Sequence, residues 1–313
     1  TSTPTDAYCL IKVNSDGSVI LLSSAVEVGA GQKTVLAQIA ADTIGVPLDC
    51  ISVPHSDTFG TPYDHSVTSS RTTFHMGNAI RSAGEKLRRK ILEYAQGILK
   101  TDVGRLSLFE GKIFEEGVGE RITLKALLAG IFQRGGSLME EGHYSPAQSS
   151  MLQAYPDLQK MSSIFWMFAT HAAEVEVDIE TGVVKVLKVA AAHDIGKAIN
   201  PALCEQQVEG SVIMGLSNTL LEEFKMENGR ILNDTLADYK LATMMDIPEI
   251  IPILVETDHP EGPFGAKGIG EPAAAPTAPA IANAIFDAVG VRIKDLPLTP
   301  EKILKAIANQ KTN

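Results

Sequence analysis

The chain repeats itself, and that repetition limits its fold more than any other feature. Tyr8 to Val13 alternates apolar and polar residues, Asn14-Ser15-Asp16-Gly17 forms a turn, and Ser18 to Ser23 alternates again. Period-two alternation around an Asp-Gly turn predicts a β-hairpin, with glycine supplying the positive φ. A glycine-bearing segment, Val26 to Gly31, follows, and then a helical pattern from Gln32 to Thr43. The same order returns downstream. Ala173 to Ile179, the turn Glu180-Thr181-Gly182 and Val183 to Ala191 predict a second hairpin. His193-Asp194-Ile195-Gly196 and a helix beginning near Cys204 complete it. Two copies of a β-β-α unit predict an α+β protein, with mixed sheets and helices packed on them. Domains usually run roughly 100–200 residues. The chain therefore divides into residues 1–160 and residues 161–313, one copy in each.

The rest of the chain reads less regularly. Ile80 to Ala95 predicts a basic amphipathic helix carrying Arg81, Lys86, Arg88, Arg89 and Lys90, read as a solvated face. Gly135 to Lys160, rich in Gly, Ser, Gln and Pro, reads as a long loop of the kind used for lids or interface arms. Ile247 to Thr257 is an apolar strand region holding two prolines. Ala273 to Val289 predicts a small-residue helix, and Thr299-Pro300-Glu301 starts a last one through Ile303 to Ala308.

Charge and cysteine usage exclude several classes. The net charge is −11, and Lys and Arg form no stripe, which argues against nucleic acid and anionic membranes as partners. No apolar run reaches the ~18 residues of a membrane span. Cys9, Cys50 and Cys204 are odd in number and far apart, so neither a disulfide framework nor an iron–sulfur or zinc site is expected. That usage fits a cytoplasmic protein. With 44% hydrophobic residues, sizeable cores are expected.

Four stretches could carry chemistry. Glu27-Val28-Gly29-Ala30-Gly31-Gln32-Lys33-Thr34 fails as a dinucleotide fingerprint, because Thr34 stands at the third glycine position. It fails as a P-loop because Gln32 separates Gly31 from Lys33. Its glycines either let backbone N–H groups approach an anion or make a tight turn into a helix. Ser66-Val67-Thr68-Ser69-Ser70-Arg71-Thr72-Thr73 is dense in hydroxyls beside an arginine. It suits phosphate or heterocycle hydrogen bonding, or a polar loop with an arginine ion pair. The helix opening at Glu205-Gln206-Gln207-Val208-Glu209-Gly210 carries Gly210 and Gly215. Each costs roughly 1 kcal/mol relative to alanine, so close packing or a ligand must offset it. Finally, Phe264-Gly265-Ala266-Lys267-Gly268-Ile269-Gly270-Glu271-Pro272 sets one carboxylate among glycines before a small-residue helix. Glu271 is either a rigid, partly desolvated general base or a helix-capping loop carboxylate.

Gly268-Ile269-Gly270-Glu271-Pro272 resembles the signature of the xanthine dehydrogenase/aldehyde oxidase family of molybdenum hydroxylases. Other stretches are similar to family segments in the same order: Glu27 to Thr34, Ser70 to Gly77, and Ala173 to Asp178 with Thr181-Gly182. So are Asp194-Ile195-Gly196 with Asn200-Pro201, Gln207 to Gly210, and Leu296-Pro297-Leu298-Thr299-Pro300. The resemblance covers nearly the whole chain but only the second half of the family's molybdenum subunit. A molybdenum subunit split in this way resembles the nicotinate dehydrogenase arrangement, and the chain is similar to its medium molybdopterin subunit.

The resemblance implies a role for each matching residue. Glu271 takes the place of the catalytic glutamate. Gly29, Ala30 and Gly31 line the pterin, although many relatives carry Gln at the position of Ala30. Ser69, Ser70, Arg71 and Thr72 hold it from another side, and Gln207 hydrogen-bonds it. The pterin binds the molybdenum, so no protein ligand to the metal is implied. The expected cofactor is molybdenum with molybdopterin cytosine dinucleotide. Expected partners are a large molybdopterin subunit, an Fe-S subunit and an FAD subunit. The expected reaction hydroxylates a small heteroaromatic substrate with oxygen from water, nicotinate to 6-hydroxynicotinate first among them. Aldehyde, purine and aromatic acyl-thioester oxidoreductases, and a non-catalytic cofactor scaffold, stand as alternatives.

Overall fold

The computed structural model of the protein describes residues 6–65, 67–133, 137–146, 153, 157 and 164–310. They form two compact units, Thr1–Trp166 with Thr257–Gly268, and Met167–Glu256 with Ile269–Asn313. The first unit opens with the hairpin β1 (Ala7–Val13) and β2 (Val19–Ser23). Along β1, Ala7, Cys9, Ile11 and Val13 point inward and are buried, as alternation requires. Helix α1 (Gln32–Ile44) then leads to the short β3 (Ile51–Ser52), which pairs parallel to β2.

Helix α2 (Gly77–Leu99) packs across β1 and buries Ile80, Leu87 and Ile91. Each such side chain contributes roughly 1.5–3 kcal/mol through removal from water. Its basic face meets carboxylates: Arg81 pairs with Glu85, Arg89 with Glu93 and Lys90 with Glu140. A meander follows, β4 (Leu106–Phe109), β5 (Lys112–Glu115) and β6 (Gly119–Thr123), then α3 (Leu124–Gln133). Strand β7 (Leu138–Tyr144) returns beside β1, giving the sheet order β3-β2-β1-β7.

The second unit repeats this plan. Strands β8 (Ala169–Val177) and β9 (Val184–Asp194) form an antiparallel hairpin, followed by α4 (Pro201–Leu220). A two-stranded excursion, β10 (Met226–Glu227) and β11 (Arg230–Ile231), precedes β12 (Glu249–Val255). Strand β12 pairs parallel to β9, as β3 pairs parallel to β2. The repeat is therefore β-β-α-β, one strand longer than the sequence pattern indicates. Helix α5 (Thr277–Val289) packs on β8, and α6 (Pro300–Gln310) closes the unit. Its core joins Val189 and Ala191 of β9, Val208, Val212 and Leu216 of α4, Ile281 and Ile285 of α5, and Ile303 of α6.

Two expectations change, and one motif is new. The Gly135 to Lys160 loop contains strand β7; most of its remainder lies outside the described residues, as does Ser66 of the hydroxyl-rich run. The helix expected from Ala273 is interrupted: Glu271–Ala274 is a 3-10 turn, and α5 starts only at Thr277. Pro276, which has no N–H to donate, stands at that junction as the N-cap. The new motif is the meander β4–β6, in which Glu110 and Gly111 both take positive φ, as a type I′ hairpin turn demands.

Candidate functional site

In the first unit, the Glu27 to Thr34 segment folds around its own carboxylate. Glu27 Oε1 accepts from the backbone N–H groups of Gly29 at 3.0 Å and Gly31 at 2.9 Å, and Oε2 accepts from Lys33 at 3.2 Å. Burial alone would raise the Glu27 pKa, but these backbone donors outweigh it and hold the carboxyl below its ordinary value. The anionic group met by these N–H groups is thus the chain's own. Gly29 and Gly31 take φ of 98° and 75°, and a Cβ at Gly29 would have open space. Gly31 is also the N-cap of α1. The glycines are needed for conformation, and they leave the face of the loop bare. Ala30 lies half-buried between them.

The hydroxyl-rich run makes the sharpest contact. Ser69 and Ser70 both adopt left-handed backbone, φ 59° and 51°. Side-chain-bearing residues hold that conformation only where their surroundings over-determine it. One such constraint is Gly268. A Cβ there would lie 1.6 Å from the Ser70 carbonyl oxygen, so only glycine fits. Two stretches nearly two hundred positions apart, the serine turn and the glycine-rich motif, are thereby joined within one unit. Lys267, also buried, donates from Nζ to the Trp166 carbonyl at 3.0 Å.

Arg71 is 3% exposed. Nη1 pairs with Asp64 Oδ1 at 2.8 Å, both side chains buried, and Nη2 donates to the Asp6 carbonyl at 3.0 Å. Thr72 opens a π-helical turn, Thr72–Met76, that runs into α2. Such turns recur at functional sites. Thr72 Oγ1 is buried with no hydrogen-bond partner among the described residues.

In the second unit, Gln207 is half-buried on α4. Asn200 caps that helix, its side chain accepting from Leu203 N at 3.1 Å, with Pro201 at the first position. The two glycines of α4 differ. Gly210 faces open space, whereas a Cβ at Gly215 would lie 2.6 Å from Thr277 Cβ and 3.1 Å from the Ala274 carbonyl. Gly215 therefore seats the turn that carries Glu271. Glu271 itself is exposed in this chain, so the expected desolvation does not come from its own unit. Behind the turn lies a pair that sequence reasoning missed, the imidazoles of His171 and His193, 2.7 Å apart. Adjacent in no motif, they meet only because β8 and β9 pair. Among the described residues no group of three or more His, Cys, Asp or Glu is placed to hold a metal ion.

Positions 1–248 match the molybdopterin cofactor-binding domain. The chain belongs to the molybdopterin cofactor-binding family. It is 34% identical to the xanthine dehydrogenase molybdenum-binding subunit of Escherichia coli O157:H7, over 93% of this chain and 38% of that one. It is 30% identical to subunit gamma of the 6-hydroxypseudooxynicotine dehydrogenase complex of Paenarthrobacter nicotinovorans, over 94% of this chain and 36% of the other. The crystal structure of quinoline 2-oxidoreductase from Pseudomonas putida 86 superposes with a TM-score of 0.86 at 27% identity, covering 97% of this chain and 38% of that chain. The molybdopterin-binding chain thus spans well under half the length of these relatives. Its α+β fold with mixed sheets is that of the family. The residues fit such a cofactor in two respects: the Thr72 hydroxyl is buried without a partner among the described residues, and the loop presents bare backbone to open space at Gly29.

Proposed function

We propose that this chain is the cofactor-binding part of the molybdenum subunit of a hydroxylase acting on N-heteroaromatic compounds, with Glu271 as general base. The observation that carries the reading is the contact of Gly268 with Ser70, which builds the motif preceding Glu271 onto the serine turn. In this reading Gly29, Ala30 and Gly31 lie along the pterin through backbone, and Ser69, Ser70 and Thr72 offer it hydroxyls. Arg71, committed to Asp64, holds that turn in place from behind. Gln207 offers its amide. The bound group, molybdenum with molybdopterin cytosine dinucleotide, supplies the two-electron oxidation and an activated oxygen derived from water. Glu271 would take up, at its carboxylate, the proton released from the water-derived oxygen during hydroxylation. A carboxylate serves as base most effectively where water is excluded. Glu271 is exposed here, so the reading requires a large molybdopterin subunit to cover it. An Fe-S subunit and an FAD subunit would carry the electrons away, in the cytoplasm, where the three free cysteines stay reduced.

Nicotinate, hydroxylated to 6-hydroxynicotinate, is the substrate we put first. The names of several relatives, from quinoline, nicotine and pseudooxynicotine to xanthine, support a nitrogen heterocycle. The test is molybdenum and CMP content of the assembled complex, followed by turnover of nicotinate, xanthine and an aldehyde. Stoichiometric metal and CMP with nicotinate turnover is expected. Turnover of xanthine alone would move the reading to purines, and absence of both metal and CMP would leave a scaffold. Glu271→Gln should retain cofactor and lose about 10²–10⁴-fold in kcat, the usual share of a general base. Unchanged turnover in that variant would remove Glu271 from the chemistry.

A further inference from the structure

The second unit contains a polar chain that the proposed reaction does not use. His193, on β9, is fully buried, and its Nε2 lies 2.7 Å from Nε2 of His171 on β8. His171 Nδ1 lies 3.2 Å from Oγ1 of Thr277, the first residue of α5, which is also fully buried. His193 Nδ1 is buried with no hydrogen-bond partner among the described residues. Burial, and for His171 the neighbouring imidazole, keep both rings neutral near pH 7; His171 is pushed down to about 4.

Two ring nitrogens at that separation share one proton, and a neutral imidazole carries only one in all. With the shared proton on His171, His193 would carry its own on Nδ1, an N–H stranded in the core. With the shared proton on His193, its Nδ1 is a bare lone pair, and His171 carries a proton on Nδ1 that donates to Thr277. Orphaned buried N–H groups are rarer than under-used acceptors, so the second order is favoured. The chain then runs in one direction, His193 to His171 to Thr277.

We propose that this proton-ordered pair positions Glu271. Thr277 is where β8 and α4 meet the turn: Gly215 brings α4 against both Thr277 and the Ala274 carbonyl, the end of the turn that Glu271 begins. A hydroxyl that accepts from His171 in a fixed sense has one rotamer, and the turn built on it has one orientation. His171 and His193 are positioning residues, not catalytic ones. The proposal rests on the reading of Glu271 as the base.

The experiment uses the complete, cofactor-loaded enzyme. His193→Phe keeps ring volume without a donor, His193→Gln keeps a donor near the same point, and Thr277→Val removes the hydroxyl at constant shape. His193→Phe and Thr277→Val should each lower kcat about tenfold, equivalent to ~1.4 kcal/mol, with KM unchanged. The double variant should be no worse than either single, and His193→Gln should restore the rate. Nitrogen NMR of labelled histidines in the unmodified protein supplies a readout free of turnover. His193 Nδ1 should be unprotonated and His171 Nδ1 protonated. Full kcat in His193→Phe, or the opposite tautomers, overturns the proposal. If Glu271→Gln retains full turnover while the tautomers are as expected, the base assignment fails and the ordered pair stands. If Glu271→Gln is inactive and the tautomers are reversed, the pair alone fails.

Discussion

At Gly268 a single methyl group would stand 1.6 Å from the Ser70 carbonyl. Neither partner can yield easily: the serine turn already holds two left-handed residues, and Gly268 is buried. Gly268→Ala should therefore destabilise the protein by about 1–3 kcal/mol, as overpacking does. It should also lower molybdenum content more than a core substitution of equal stability cost; thermal melting with metal analysis checks both. The glycine-rich motif was legible as a place of backbone freedom, and Glu271 as its one carboxylate. What no local pattern could indicate was the partner of that backbone. The serine turn lies far away in sequence, and a contact made by a carbonyl oxygen leaves no mark on residue type. The glycines at 29 and 31 were likewise legible, while the acceptor of their N–H groups, Glu27, could have been found. A carboxylate two residues before a positive-φ glycine is well placed to accept from the loop it begins.

Among the elements, α4 offers a controlled comparison, because it holds two glycines with opposite surroundings. Gly210 meets nothing within 4 Å and Gly215 meets Thr277 at 2.6 Å. In the isolated chain, Gly210→Ala should stabilise by about 0.5–1 kcal/mol through helix propensity, whereas Gly215→Ala should destabilise. Denaturant midpoints measure both. If Gly210→Ala also reduces cofactor content, the open face of α4 at that turn serves the ligand. The hairpins were legible because alternation and a turn glycine coincide at Gly17 and Gly182. Strand β7 was not, since Glu140, Glu141 and Gly142 break the apolar rhythm that marks a strand. Its place is set by pairing with β1 and by α2 above it, which are tertiary facts. Strand β12 keeps Pro252 because, among the described residues, it pairs on one side only, with β9.

For the molecule as a whole, desolvated imidazoles set the acid limit: His75, His193 and the half-buried His171 all titrate below the ordinary histidine value. Desolvation and then the Arg71 charge push His75 down to about 3, and His171 stands at about 4. The unfolded chain takes up those protons near pH 6.5, before the folded one does. Stability should be level between about pH 7 and 8, fall progressively below 6.5, and keep falling to about pH 3–4. Urea unfolding across that range should show the limb, and His75→Gln should flatten its lower part. The repeat was legible at this scale; the return of Thr257–Gly268 to the first unit was not, because chain path beyond a repeat is decided by packing. That return has a bearing on how such a gene can be divided. Breaking it after Trp166 places Lys267 and Gly268, which belong with the first unit, on the second polypeptide. Fragments 1–166 and 167–313, made separately, should each be incomplete, and mixing them should restore a native-like exchange pattern at Ser70. A break at that point would make lasting association a condition of folding, turning two gene products into obligate companions.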